Sequence, residues 1–354
     1  GGFLDGREEV IVRERAAPGE VFADGALTLR TAPLHTVHAL DVQIPRGRLT
    51  AVTGVSGSGK TTLVLESLIP ALRATFGGAP APAHVRQVDP AGIRRGHQID
   101  ASPIGVNIRS TVATYSGVLD ELRRSFARTA DARAQDLGAG DFSYNTGSLR
   151  CPRCDGTGRV ELDVQFLPDI DIDCPECEGS RYAPAAAEIR RPVTTPEADG
   201  TADGSVSLPE LMSLTVREAA PLVADIAGVR KRLQSLIDLG LGYLTLGQDT
   251  PALSGGEAQR LKLAGQVDRR QGDALFVFDE PSVGLHPLDV RTLLDVLDRL
   301  ISQGATVIVI EHDLDMIANA DHLIDLGPGG GEAGGRIVAT GTPEQVAARD
   351  TGAT

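Results

Sequence analysis

The stretch GVSGSGKT, Gly54 to Thr61, constrains this chain more than any other. It follows LTAVTG, an apolar run ending in glycine, and opens KTTLVLESLIPALRATF, where Leu63, Ser67, Ile69, Leu72 and Phe76 recur near helical spacing until GGAPAP stops the pattern. A strand, a glycine-rich loop and a helix in that order fit G-x-x-x-x-G-K-[ST], a phosphate cradle. Gly54, Gly57 and Gly59 let backbone amides turn towards phosphate oxygens, Lys60 brings a positive charge to the β- and γ-phosphates, and Thr61 offers a hydroxyl to magnesium. Ser56 and Thr62 complete the expected nucleotide-contacting set. The alternatives are an ordinary glycine turn, which the strand-to-helix context disfavours, and a GTP site, for which no typical base-reading element is present.

The rest of the pattern is also α/β. Residues 38 to 54 alternate and then run apolar, as an antiparallel strand followed by a buried parallel strand would. ALFVFD (274 to 279) and ATVIVIEH (305 to 312) are short apolar runs separated by an amphipathic helix, a βαβ unit. HLIDLG, a GPGGGEAGG loop, RIVATG and a closing helix capped by Thr342 follow. These segments predict one ATPase-type core built from both ends, 1–105 and 245–354. Residues 106–244 form an inserted helical region that carries a cysteine module at 148–183. The acidic TTPEADGTADGSVS, 194 to 207, has little to bury and reads as a mobile loop.

All four cysteines, Cys151, Cys154, Cys174 and Cys177, fall in this insertion with the spacing C-x₂-C-x₁₉-C-x₂-C. Two matched pairs with no secretion signal suit a tetrathiolate Zn²⁺ ribbon better than disulfides or a redox pair, and place the chain in a reducing, cytoplasmic setting. The glycine after each knuckle lets backbone amides approach the sulfurs. No stretch approaches the roughly eighteen apolar residues of a membrane span. The net charge of −14 argues against a uniformly basic nucleic-acid binder while leaving room for a local arginine patch. Only Lys60, Lys231 and Lys262 are lysines, so other phosphate contacts would be arginine forks. The pairs Arg94-Arg95, Arg123-Arg124 and Lys231-Arg232 read as solvated helix faces.

LSGGEAQR, residues 253 to 260, resembles the signature of ABC-type ATPases, in which a serine and glycines at a helix N-terminus meet the γ-phosphate held by another module. Ser254, Gly256 and Gln259 are the implied contacts; taken alone, the same letters spell a capping box between Ser254 and Glu257. LFVFDEP then supplies Asp279 at a strand end to hold magnesium and Glu280 to orient or deprotonate the attacking water. His312 in IVIEHD resembles the switch histidine that contacts the γ-phosphate.

The order of these motifs, together with ATYSGVLDELRRSFA, FLPDIDIDCPECEGSRY, LGLGYLTLGQDTPALSGGEAQRLKLA and IDLGPGGGEAGGRIVATGTPEQVA, resembles the C-terminal half of the UvrA family of excision-repair ATPases across nearly the whole chain. The opening GGFLDGREEV resembles the linker into the second of two ABC modules, so the chain reads as one module of a longer protein. The resemblance implies an ATP-hydrolysing, DNA-binding subunit of bacterial nucleotide excision repair. Its cofactors would be ATP, Mg²⁺ and Zn²⁺, and its partners damaged double-stranded DNA, a UvrB-type protein, and a second ABC module in the same chain or in a homodimer. No nuclease carboxylate cluster is evident. Two departures stand out. Ala101 occupies the place of the family's nucleotide-sensing glutamine, with Gln98 three residues away, and SPIGVNIRSTVATY replaces SPIGRTPRSNPATY. They keep open a divergent paralogue of the antibiotic self-resistance type. A regulatory or transport ABC module without DNA binding is the remaining alternative, against which the zinc insertion stands.

Overall fold

The computed structural model describes residues 13–77, 80–104, 107, 109–162, 170–193, 204–266, 270–283 and 287–349. The GGFLDGREEV opening and residues 194–203 of the acidic stretch lie outside them. The chain divides into two compact units, one formed by 1–101 with 266–354 and the other by 102–265.

The first unit is built on a six-stranded sheet in the order Arg336–Gly341, His322–Gly327, Leu49–Gly54, Thr306–Ile310, Ala274–Asp279, Arg95–Ile99. All neighbours are parallel except the edge strand Arg336–Gly341, which returns antiparallel to His322–Gly327. Leu49–Gly54, Thr306–Ile310 and His322–Gly327 are buried along their whole length, which is why the first two read as apolar runs. A three-stranded antiparallel sheet, Asp41–Pro45, Ala26–Thr31 and Val85–Asp89, supplies Leu27, Leu29, Val42 and Ile44 to the same core as Val52, Val277, Ile308 and Ile324. The alternation expected at Asp41–Pro45 is present, with Val42 and Ile44 inward. Because the central strands run parallel, Gly54, Asp279 and Ile310 all end at one edge of the sheet, where α/β proteins place their ligands.

The helix after the glycine-rich loop departs from regular 3.6-residue spacing. Thr62–Leu68 forms a π-turn before the α-helix Ile69–Gly77 begins. The amide of Ile69 donates to the carbonyl of Val64, and the Ser67 hydroxyl donates to the carbonyl of Thr62 at 2.7 Å and lies 2.9 Å from Nε2 of His84. The wider turn buries Leu63, Val64, Ser67 and Leu68 together. Such turns concentrate at functional sites.

In the second unit, Val118–Phe126 turns Val118, Leu119, Leu122 and Phe126 inward and packs on Ala227–Asp238, whose Val229, Leu233 and Leu236 are buried. Thr342-type capping recurs throughout the chain: Ser207, Thr215, Ser254 and Thr342 each form a reciprocal capping box. Two expectations need correction. Gly204–Ser207, assigned to the mobile acidic loop, is a strand paired with Arg190–Val193, because Val206 finds an apolar site and Ser207 caps the next helix. Residues 245–265, expected with the ATPase core, belong to the second unit. The amide of Val112 donates to the carbonyl of Gln248, Thr250 Oγ1 donates to the carbonyl of Ile104 at 2.8 Å, and Arg181 forms an ion pair with Asp249. Among the described residues no helix is long and apolar enough to cross a membrane.

Candidate functional site

In the first unit the glycine-rich loop leaves Leu49–Gly54 at the sheet's carboxyl edge. Gly54 has φ +131°, and any Cβ there would collide with the carbonyl oxygen of Leu326 on the adjacent strand, so only glycine fits. The later glycine-rich segment, read from sequence simply as a loop, buttresses this turn from outside. Gly331 and Gly335 amides donate to the carbonyls of Gly57 and Ser58 at 3.1 Å each. A Cβ on Gly330 would come within 2.6 Å of the Ser56 carbonyl oxygen, which explains the need for small residues in GPGGG.

Lys60 is 6% exposed and folds back over the loop, donating to the carbonyls of Gly54 at 2.8 Å and Val55 at 3.0 Å. Burial lowers its pKa from the usual lysine value, opposed by the nearby carboxylates of Glu280, Asp325 and Asp279. Asp325 is fully buried on His322–Gly327 and accepts from Thr53 Oγ1 at 3.3 Å; it is an acidic neighbour that belongs to no motif. Thr61 is exposed and Thr62 half-buried at the start of the π-turn.

Asp279 ends its strand with its pKa raised by burial, then by the like charges of Glu280 and Asp100, against the opposing pull of Lys60. Glu280 follows in a left-handed conformation, φ +45°, rare for a residue with a side chain. Its amide donates to the carbonyl of Ile310 at 3.0 Å, which pins it beside the neighbouring strand. Its Oε1 lies 3.5 Å from Nε2 of His312, and both side chains are about half exposed. Lys60, the adjacent Asp279 and Glu280, and His312, from three separate segments of the sequence, therefore meet at one sheet edge. Glu311, which no motif singles out, is almost completely buried between the two loops that carry Glu280 and His312. Its only sequence signal is a charged residue continuing the apolar run TVIVI.

Gln98 and Ala101 take separate places. Gln98 is held in the ladder opposite Val277, and Ala101 is exposed just beyond the strand. Gln98 thus occupies a fixed sheet position three residues short of Ala101. Of the basic pairs, Arg95 lies in a strand rather than on a helix face and pairs with Asp273 at 2.6 Å. Arg123 donates to the carbonyl of Ala139 and Arg232 to that of Ser116, so these arginines serve their own fold.

In the second unit the four cysteine sulfurs all lie within 4.8 Å of one another, with Cys151 to Cys174 at 3.9 Å and Cys154 to Cys177 at 3.7 Å. A tetrahedral site with metal–sulfur bonds of about 2.3 Å needs edges of roughly 3.8 Å, so this donor set fits zinc closely. The hairpin Arg159–Leu162 with Ile170–Asp173 brings the two pairs together, through a bond from the amide of Cys174 to the carbonyl of Gly158 at 2.9 Å. The Gly158 amide donates to Cys154 Sγ at 3.3 Å. Burial opposes ionisation of Cys174, yet bonds from the amides of Cys177 and Glu176 bring its pKa down to about 7. Burial and the neighbouring sulfurs push Cys177 up to about 12, despite the amide of Arg181. Unequal thiols of this kind would lose their protons on binding a cation.

Ser254 caps Gly255–Leu263, its hydroxyl accepting from the Glu257 amide at 3.3 Å while Glu257 accepts from the Ser254 amide at 2.7 Å. The capping box and the signature letters are thus the same structure. Gly256 is half-buried and Gln259 is buried in the helix. Tyr243, 57% exposed, donates to Glu257 at 2.5 Å and steadies the box from outside, a contact with no motif to announce it.

No family model matches the chain. It is 42% identical to UvrABC system protein A of Mycobacterium bovis over 98% of its own length and 35% of that protein's. It is 43% identical to the Methanothermobacter thermautotrophicus counterpart over 99% of its length and 35% of that protein's. The crystal structure of UvrA2 from Deinococcus radiodurans superposes with a TM-score of 0.85 at 40% identity, covering 99% of this chain and 40% of that one. The chain thus spans about a third of the length of the curated relatives it matches, and the fold, a six-stranded α/β sheet in one unit and a tetracysteine module in the other, accompanies the sequence similarity. On both grounds the chain is similar, along nearly its whole length, to one part of the UvrA proteins.

Proposed function

We propose that the chain is an ATP-hydrolysing module of a UvrA-type protein that binds damaged double-stranded DNA in nucleotide excision repair and engages a UvrB-type partner. The observation that carries this reading is the meeting of Lys60, Asp279, Glu280 and His312 at the carboxyl edge of the parallel sheet, beside the glycine-rich turn. Lys60 would exchange the carbonyls of Gly54 and Val55 for phosphate oxygens, a change favoured because its charge is already desolvated. Gly54, Ser56, Gly57 and Gly59 shape the turn around those oxygens, and Thr61, Thr62 and Asp279 are the residues that would hold Mg²⁺. That cation, when bound, would neutralise charge on the phosphates. Glu280 is placed to accept the proton of the attacking water, and His312 to steady the γ-phosphate.

The signature residues Ser254, Gly256 and Gln259 would serve a nucleotide held by a second ABC module, in the same longer chain or in a second copy. Each catalytic site is then composite. The tetracysteine module would hold one Zn²⁺ as a staple for the insertion and a platform for duplex contact. ATP-driven closure would load or release DNA, and no nuclease step is assigned to this chain. The test is steady-state ATP turnover of the whole chain with Mg²⁺. Glu280→Gln should retain ATP binding and lose at least about a hundredfold in turnover, the range expected for a general base. Turnover at the wild-type rate in that variant would refute the assignment.

A further inference from the structure

Glu311 is 1% exposed at the end of the strand Thr306–Ile310, and its carboxylate accepts four hydrogen bonds. Oε1 accepts from the Ser282 amide at 2.8 Å; Oε2 accepts from the Ser282 hydroxyl at 2.8 Å, the His312 amide at 2.9 Å and the Asp313 amide at 3.2 Å. An apolar side chain would fill this space without the desolvation cost of a charge. The carboxylate instead joins the loop after Asp279 to the loop after Ile310. On the first loop the left-handed Glu280 is fixed by its amide donating to the Ile310 carbonyl at 3.0 Å and by the Val283 amide donating to its own carbonyl at 3.2 Å. On the second, Asp313 caps the following helix by accepting from the Met316 amide at 3.0 Å.

We propose that Glu311 is a positioning residue: it clamps the Ser282 and His312 backbones so that the Glu280 and His312 side chains stay paired, and a nucleotide felt by one loop is felt by the other. The proposal rests on the assignment of His312 to the γ-phosphate. Two readouts on the full chain separate the clamp from that assignment.

The first is amide hydrogen exchange without nucleotide. Glu311→Ala should speed exchange at Ser282, His312 and Asp313 by about tenfold or more, as expected when backbone donors lose a charged acceptor. Glu311→Gln should speed Ser282 most, because an amide oxygen in the Oε2 position keeps the other three donors. Unchanged exchange at these amides would overturn the clamp.

The second is the γ-phosphorus resonance of bound Mg-AMP-PNP. His312→Ala should displace it, Glu311→Ala should displace it in the same direction, the double variant should add nothing, and Glu311→Gln should lie near wild type. A resonance that moves in His312→Ala but stays put in Glu311→Ala overturns the positioning role. One that His312→Ala leaves unmoved removes the γ-phosphate assignment and the proposal with it. If Glu311→Ala does not fold, Ser282→Ala carries both readouts and Glu311→Gln the exchange at Ser282, with smaller changes of the same sign.

Discussion

Lys60→Ala should leave the thermal unfolding of the chain nearly unchanged, because relief of a desolvated ammonium offsets the loss of its hydrogen bonds to the carbonyls of Gly54 and Val55, while ATP affinity falls by at least about tenfold. Wild-type affinity by calorimetry would remove the phosphate role of this lysine. Asp279 behaves in the opposite sense. Its folded-state pKa is raised above the unfolded one by burial, Glu280 and Asp100, so its contribution to stability is present below the usual carboxylate range and lost as pH rises through the folded value. Asp279→Asn should therefore melt higher than wild type at pH 7, with the advantage vanishing at pH 3, and should lose Mg²⁺-dependent turnover. A lower melting temperature at pH 7 would contradict the strain assigned to this carboxylate. Lys60, Asp279, Glu280 and His312 were legible because each sits at a fixed offset in a short motif. Glu311 and Asp325 were not, since a buried acid takes its meaning from donors on other strands, and the bond from Tyr243 to Glu257 joins residues fourteen apart with no pattern between them.

The tetracysteine hairpin and the segment before the signature helix are joined by Arg181, which pairs with Asp249 and lies over the ring of Tyr144 at 5.2 Å. Burial raises the pKa of Asp249, and Arg181 and Arg159 pull against it. Arg181→Ala leaves that carboxylate poorly compensated and should cost about 3 kcal/mol, read as a lower denaturation midpoint of the second unit. Asp249→Asn in the same chain should recover part of the loss; no recovery would mean that the stacking on Tyr144, and not the charge, holds this junction. Cys174→Ser should lower bound zinc from about one per chain and loosen the hairpin, since a four-sulfur site rarely survives with three. Unchanged zinc content by mass spectrometry would place the metal elsewhere. At this scale the sequence was clear about strands and the cysteine module, whose periods and spacing are local. It was less clear at Gly204–Ser207 and in 245–265, where cross-strand and tertiary bonds decide the outcome. The π-turn at Thr62–Leu68 escaped for the same reason: the side-chain bonds of Ser67, and not residue propensity, accompany the wider spacing.

For the whole molecule, the proposed composite sites would leave half of each catalytic centre on one module, so turnover per chain should rise with protein concentration until copies pair or a second module completes them. On the proposed DNA-binding reading, a net charge of −14 leaves duplex contact to local basic residues and makes it salt-dependent. The central claim couples nucleotide state to DNA. It is tested by fluorescence anisotropy of a damaged duplex with the wild-type chain at one stated low ionic strength, titrated in Mg-ATP, in Mg-ADP and without nucleotide, with an undamaged duplex alongside. The account predicts duplex affinity that differs at least about fivefold between ATP and ADP, a difference absent in Lys60→Ala. Duplex binding that is identical in all three nucleotide conditions, or no binding in any of them, would contradict it.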